Sequence, residues 1–180
     1  MQYVAAEDSS KDIYSTMHHL HDERTPLHLP FDIKILPTRL PASLRSKAII
    51  ANCNEGRPDN CGGTWQGEWL CARNKSFGDY CIMADTLAPR ISPVIFSADM
   101  RRKSSISFRL LDNFAVAGTA DNLTYRGTID GKWVLFEWDK KRNRITYTFD
   151  EHVGKGQHTI RVTAKDDRGN EGVFEGKFMR

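Results

Sequence analysis

His18, His19, His21 and Asp22 stand within five residues of one another, in a stretch, MHHLHDERTPLHLP, that holds four of the chain's six histidines. His18-x-x-x-Asp22 and His19-x-His21 are both spacings used by zinc hydrolases, because neutral imidazole and carboxylate suit Zn²⁺. The two spacings overlap. On an extended strand His19 and His21 share one face while His18 and Asp22 share the other, so a single segment cannot gather all four around one ion. The expectation is a polar segment with incidental histidines and no metal.

Calcium is the second chemistry to weigh. Asp112, Asp166, Asp167 and Asn170 fall in two predicted turns, Asp112-Asn113 and Asp166-Asp167-Arg168-Gly169-Asn170, whose oxygens would suit Ca²⁺ if they met at one end of a domain. The favoured reading is that they cap their own turns. Trp65, Trp69, Trp133 and Trp138 are the third set. They make a platform for a sugar or a peptide, or fill a contact between domains, and a domain contact is favoured. No Gly-rich phosphate loop, nucleophile elbow or paired-carboxylate arrangement stands out, so no catalytic residue and no cofactor is assigned.

The four cysteines, Cys53, Cys61, Cys71 and Cys81, include no C-x-x-C pair, which argues against a zinc ribbon or finger. Cys53 and Cys61 bracket the polar loop NEGRPDN and could close it. Cys71 and Cys81 could bridge adjacent strands around NKSFGD, and buried thiols are an equal alternative.

Charge narrows the partners. The 26 basic and 23 acidic residues leave a net charge of +3, too balanced to imply nucleic acid or an anionic membrane surface. The runs Arg101-Arg102-Lys103 and Lys140 to Arg144 read as solvated loops between strands. No apolar run approaches the roughly 20 residues of a membrane span. The start, MQYVAAEDSS, has neither a basic leader nor an apolar segment, so the protein is expected to be cytoplasmic or to have its signal peptide outside this chain.

The elements that would position these side chains are strands. Tyr125 to Asp139, YRGTIDGKWVLFEWD, reads as a β-hairpin: Tyr125, Gly127 and Ile129 alternate with Arg126 and Thr128, and Asp130-Gly131 accepts the positive φ angles of a type I′ turn. Its return strand, Lys132 to Trp138, sets Trp133 and Leu135 on one face and Val134, Phe136 and Trp138 on the other, so neither face looks made for water. The outer face is the leading candidate for a surface against another domain.

Alternation and turn residues predict an all-β chain of two small β-sandwich domains in tandem. The first spans residues 1–86, with about its first 12 residues unstructured, and includes strands at Phe31 to Ile35, Ser46 to Ala51, Thr64 to Arg73 as a tight hairpin, and Phe77 to Ala84. A linker with two prolines runs from Asp85 to Pro93. The second domain, 87–180, carries seven short strands and reads as immunoglobulin-like or fibronectin type III-like. Its expected inward set is Ile106, Phe108, Leu110, Tyr125, Ile129, Ile145, Tyr147, Phe149, Ile160, Val162, Phe174 and Phe178.

The order TPLH, FDIKILP, GGTWQGEWLCAR, FGDYCIMADTLAPRISP, ISFRLLDN, TYRGTIDGKWVLFEWD, ITYTFDE, GQHTIRVTAKDDRGNEG and FMR resembles the β-sandwich region that follows the catalytic domain in secreted lysostaphin-type zinc endopeptidases of the cell wall. The resemblance runs from about Tyr14 to Arg180. In that family zinc is held by an H-x-x-x-D segment and a distant H-x-H segment. The overlapping His18, His19, His21 and Asp22 do not match that arrangement, so no ligand is carried over. The resemblance therefore implies a non-catalytic accessory region that positions a peptidoglycan endopeptidase or binds the cell envelope. Its partners would be the parent's catalytic domain and peptidoglycan or another envelope glycan, in the periplasm or outside the cell. An independent glycan- or peptide-binding module of a surface protein is the alternative.

Overall fold

The structure, a computed structural model, describes residues 3–6, 12–54, 57–118 and 122–180. It is all-β, with 3₁₀ turns at Ala42–Lys47 and Lys140–Arg142 as its helical content among these residues. Among the described residues no helix is long and apolar enough to cross a membrane. The chain divides into two compact units, Met1–Thr86 with Phe114–Asn122, and Leu87–Asn113 with Leu123–Arg180.

The first unit contains β1 (Tyr3–Ala6), β2 (Met17–Leu20), β3 (Phe31–Ile35), β4 (Ala48–Asn52), β5 (Asp59–Asn60), β6 (Thr64–Gln66), β7 (Trp69–Asn74) and β8 (Gly78–Ala84). After β9 (Arg90–Ile95) and β10 (Ser105–Leu111) of the second unit, the chain contributes β11 (Ala115–Val116) to the first. One sheet has the order β1-β2-β8-β4-β5-β11 and the other β3-β7-β6. All five residues of β4 are buried. Ala48 and Ile50 join Ile33, Ile35, Leu70, Tyr80 and Ile82 on one face. Ile49 and Ala51 join Ile13, Cys81 and Phe114 on the other. A strand covered on both sides has no polar face to show, which is why Ala48 to Ala51 is a continuous small apolar run, and the buried Asn52 that ends it bonds to the Ser76 and Tyr80 hydroxyls. Burying Ile49 and Ile50 contributes roughly 1.5–3 kcal/mol each.

Several details of this unit differ from the sequence reading. Ser46 to Ala51 divides into the end of a 3₁₀ turn and β4. The loop after Asn52 holds the short strand β5. Tyr3–Ala6, expected to be unstructured, pairs antiparallel with β2, Val4 opposite His19; residues 1, 2 and 7–11 of that expectation lie outside the described residues.

The second unit continues with β12 (Thr124–Ile129), β13 (Lys132–Val134), β14 (Glu137–Asp139), β15 (Arg144–Thr148), β16 (Gln157–Lys165) and β17 (Glu171–Met179). Its sheets are β14-β15-β10-β9 and β13-β12-β16-β17. In strand letters these are D-E-B-A and C′-C-F-G, the partition of an immunoglobulin-like sandwich. Of the twelve residues expected inside, nine are buried in one cluster, and Tyr125, Phe149 and Phe174 pack against it. Aromatic rings run through the core and its margin, with Phe108 and Phe174 centroids 4.7 Å apart. Pro93 lies within β9, an edge strand, where its missing N–H costs no ladder bond on the open side.

The expected single return strand from Lys132 to Trp138 is two strands in two sheets. β13 pairs with β12, and β14 pairs with β15. The chain changes sheets at Leu135-Phe136, where Phe136 turns inward over Gly127 and is buried. This accounts for Val134, Phe136 and Trp138 facing the core together, while Trp133 and Leu135 are 57% and 61% exposed.

Candidate binding cleft

The hairpin β12–β13 turns through Asp130 and Gly131 at φ 50° and 76°, the two positive angles of a type I′ turn. That turn sets the register Thr128 opposite Trp133 and Gly127 opposite Val134. Side chains alternate across a strand, so burial of Val134 in the core obliges Trp133 to point out. Beside it lies a cleft of about 330 Å³, whose lining includes Trp133, Leu135, Tyr147, Asp150 and His152.

The cleft offers an apolar indole and leucine surface beside a hydrogen-bonding wall. The Tyr147 hydroxyl donates to Asp150 Oδ1 at 2.8 Å, and the His152 backbone N–H donates to the same oxygen at 3.0 Å. Burial, followed by the neighbouring Asp150 carboxylate, pushes the Tyr147 phenol up to about 12, so it stays a donor at neutral pH. The Tyr147 bond holds the Asp150 carboxyl below its ordinary value, keeping an anionic acceptor at the rim. An exposed aromatic ring next to a fixed carboxylate suits a ligand with a CH-rich face and hydroxyl, amide or ammonium donors.

The remaining tryptophans have other surroundings. Trp65 donates its indole N–H to the Arg45 carbonyl at 2.9 Å and lies under the Arg45 guanidinium, 3.7 Å from the ring centroid. It packs against the core, whereas Trp69 on the opposite face of that hairpin is 47% exposed. Trp138 packs edge-on against Tyr125, centroids 5.5 Å apart, and borders the core of the second unit. Within each unit, then, one tryptophan is outward and one inward, and neither pair forms a continuous platform.

The two acidic turns come together in part. Carboxylate oxygens of Asp112 and Asp166 lie within 4.8 Å of each other. Asp166 Oδ1 accepts the backbone N–H groups of Arg168 and Asn170, both at 2.8 Å, and Oδ2 accepts the Asn170 side-chain amide at 2.7 Å. Asp167 takes Arg168 Nη2 at 3.1 Å. These bonds close the β16–β17 turn in the manner of an Asx cap.

The histidines are distributed among separate partners. His18 Nδ1 is 2.7 Å from the Tyr3 hydroxyl, and His19 Nδ1 is 2.6 Å from Asp79 Oδ1. His21 lies beyond β2 at φ 57° with its ring edge-on to Phe77. Among the described residues His18, His19, His21 and Asp22 do not converge on one point.

Tyr147 as a cleft residue, Asp150 and His152 escaped the sequence reading because β15 and the turn after it meet Trp133 only through the sheet change. Leu135, sharing the outward phase of Trp133, was the part of the cleft visible in the sequence.

Residues 1–85 are similar to the Zu5-like domain family. The Zu5-like stretch thus covers the first unit up to β8, and the cleft lies after it. No curated protein matches the chain. Among solved structures, the chain is similar to one described as structures of Clostridium thermocellum CbhA fibronectin(III)-like modules. The identity is 12%, with 82% of this chain and 84% of that one covered and a TM-score of 0.37.

Proposed function

We propose that this chain is a non-catalytic accessory region that binds the cell envelope and positions a peptidoglycan endopeptidase. Its ligand is a peptidoglycan or related envelope glycan held at the Trp133 cleft, and its place of work is the periplasm or the cell exterior. The observation that carries the reading is Trp133, large, apolar and 57% exposed at a cleft rimmed by Asp150. Leaving such a ring in water gains nothing for folding, while stacking it on a sugar face or a peptide buries its area. The peptidase association is supported by the motif order from TPLH to FMR. The alternative, a free-standing glycan- or peptide-binding module, uses the same cleft.

Sedimentation with insoluble peptidoglycan tests it. The wild-type chain should pellet, and Trp133→Ala should bind at least about tenfold more weakly while melting at the same temperature, since an exposed substitution changes stability by about 0.5 kcal/mol or less. A wild-type chain that stays in the supernatant overturns the envelope reading. Equal binding by Trp133→Ala removes the cleft from it.

A further inference from the structure

The four cysteines do not sit as their spacing suggests. Cys61 belongs to the cluster with Leu70 and Tyr80, while Cys81 and Cys53 belong to the cluster on the other face of the six-stranded sheet. The cause is the period of two along β8 and β4: Tyr80 and Ile82 face one side and Cys81 the other, and Cys53 continues the phase of Ile49 and Ala51. A Cys53–Cys61 bridge would have to pass through the sheet. Cys71 lies on β7 in the other sheet, on the face opposite Leu70 and Ala72, so a Cys71–Cys81 bridge is equally misplaced.

Cys53 Sγ lies instead 3.3 Å from Cys81 Sγ. Ala51 is the cross-strand partner of Cys81, and the Cys53 N–H donates to the Asp79 carbonyl at 2.7 Å, so the two cysteines are diagonal neighbours on one face. A disulfide needs about 2.05 Å, a closure of about 1.2 Å. Cys53 stands just past the end of β4 and is only partly buried, so an oxidant can reach it.

We propose that Cys53 and Cys81 are a disulfide-forming pair that staples β8 to the end of β4, a pairing the spacing of the cysteines does not suggest. The oxidant is a low-molecular-weight or protein disulfide, RSSR. The Cys53 thiolate attacks one of its sulfurs and releases RSH; the Cys81 sulfur then attacks the mixed disulfide, forms the Cys53–Cys81 bond and releases the second RSH. Two thiols are oxidised, and RSSR takes up both electrons and both protons. Burial raises the Cys61 thiol to about 12, which keeps that sulfur protonated and out of the exchange.

The test is disulfide mapping on the full chain. The protein is incubated with oxidised glutathione, its remaining thiols are alkylated without reduction, and the peptides are sequenced by mass spectrometry. The expected result is one linked peptide pair joining Cys53 to Cys81, with Cys61 and Cys71 alkylated. In Cys81→Ser, Cys53 should be recovered as a glutathione adduct with no internal bridge, and Cys53→Ser should leave Cys81 unbridged. Both single variants are checked for a wild-type circular dichroism spectrum. Alkylation of both Cys53 and Cys81 in the oxidised wild-type chain overturns the proposal, as does a bridge from either of them to Cys61 or Cys71.

Discussion

His158 ties two turns of the second unit together. Its Nδ1 is 2.7 Å from Asp130 Oδ2 and its Nε2 is 2.9 Å from the Gly154 carbonyl, so both ring nitrogens face acceptors and the imidazolium form satisfies both. The Asp130 hydrogen bond raises the His158 pKa above 6.5, against the opposing effects of burial and of Arg180, and the same bond lowers Asp130 below 3.8. The stabilisation from His158 is therefore fully present below pH 6.5 and lost as pH rises through the raised folded value. That from Asp130 is present above pH 3.8 and lost as pH falls through its lowered one. The melting temperature of the second unit should fall as pH is raised above 6.5, and level off once His158 is neutral. Asp130→Asn keeps a residue tolerant of the φ of 50°, so it isolates the charge. It should cost about 1 kcal/mol at pH 6, reduced from a buried pair by solvent screening at the half-exposed Asp130, and should flatten the slope. Calorimetry across pH on both proteins decides this. At this scale the Asp130-Gly131 turn was readable from two residues, because few dipeptides accept two positive φ angles. The His158 contact was not, since it joins positions 28 residues apart.

The return half of the hairpin works as an element because it belongs to two sheets. Gly127 lies where Phe136 crosses inward, and a methyl group there would overlap the ring edge. Phe136 is 2% exposed among Phe108 and Tyr147 and has no room to withdraw. Gly127→Ala should therefore destabilise the second unit by about 1–3 kcal/mol, read as a lower denaturant midpoint at unchanged slope. A variant as stable as wild type would mean that Phe136 is not held over the glycine. Strands β10, β15 and β16 were legible because Ile106, Phe108 and Leu110, Ile145 and Tyr147, and Ile160 and Val162 alternate with residues on the other face. The sheet change was not: a strand that switches sheets with its side chains in phase has the same apolar period as one that continues.

At the scale of the whole chain, Phe114 belongs to the first unit although it follows β10 of the second. It is 8% exposed and covers β4 together with Ile13. Phe114→Ala should cost the first unit about 3–5 kcal/mol, seen as faster amide exchange in β4 and β8 rather than in β16. Faster exchange confined to the second unit would refute that membership. The first stretch of the first unit ends at Thr86, just ahead of Pro89 and Pro93. The return of Phe114–Asn122 was not legible in the sequence, because the two-residue strand β11 is too short to carry a period. Its pairing with β5, Ala115 beside Asp59, closes the flank of the six-stranded sheet. A ribosome making this chain must deliver some thirty residues past Thr86 before that flank is covered. Until then the apolar face of Ile49 and Ala51 that Phe114 covers stands open to another nascent copy, so a gene cut at the apparent domain border yields a fragment prone to aggregate.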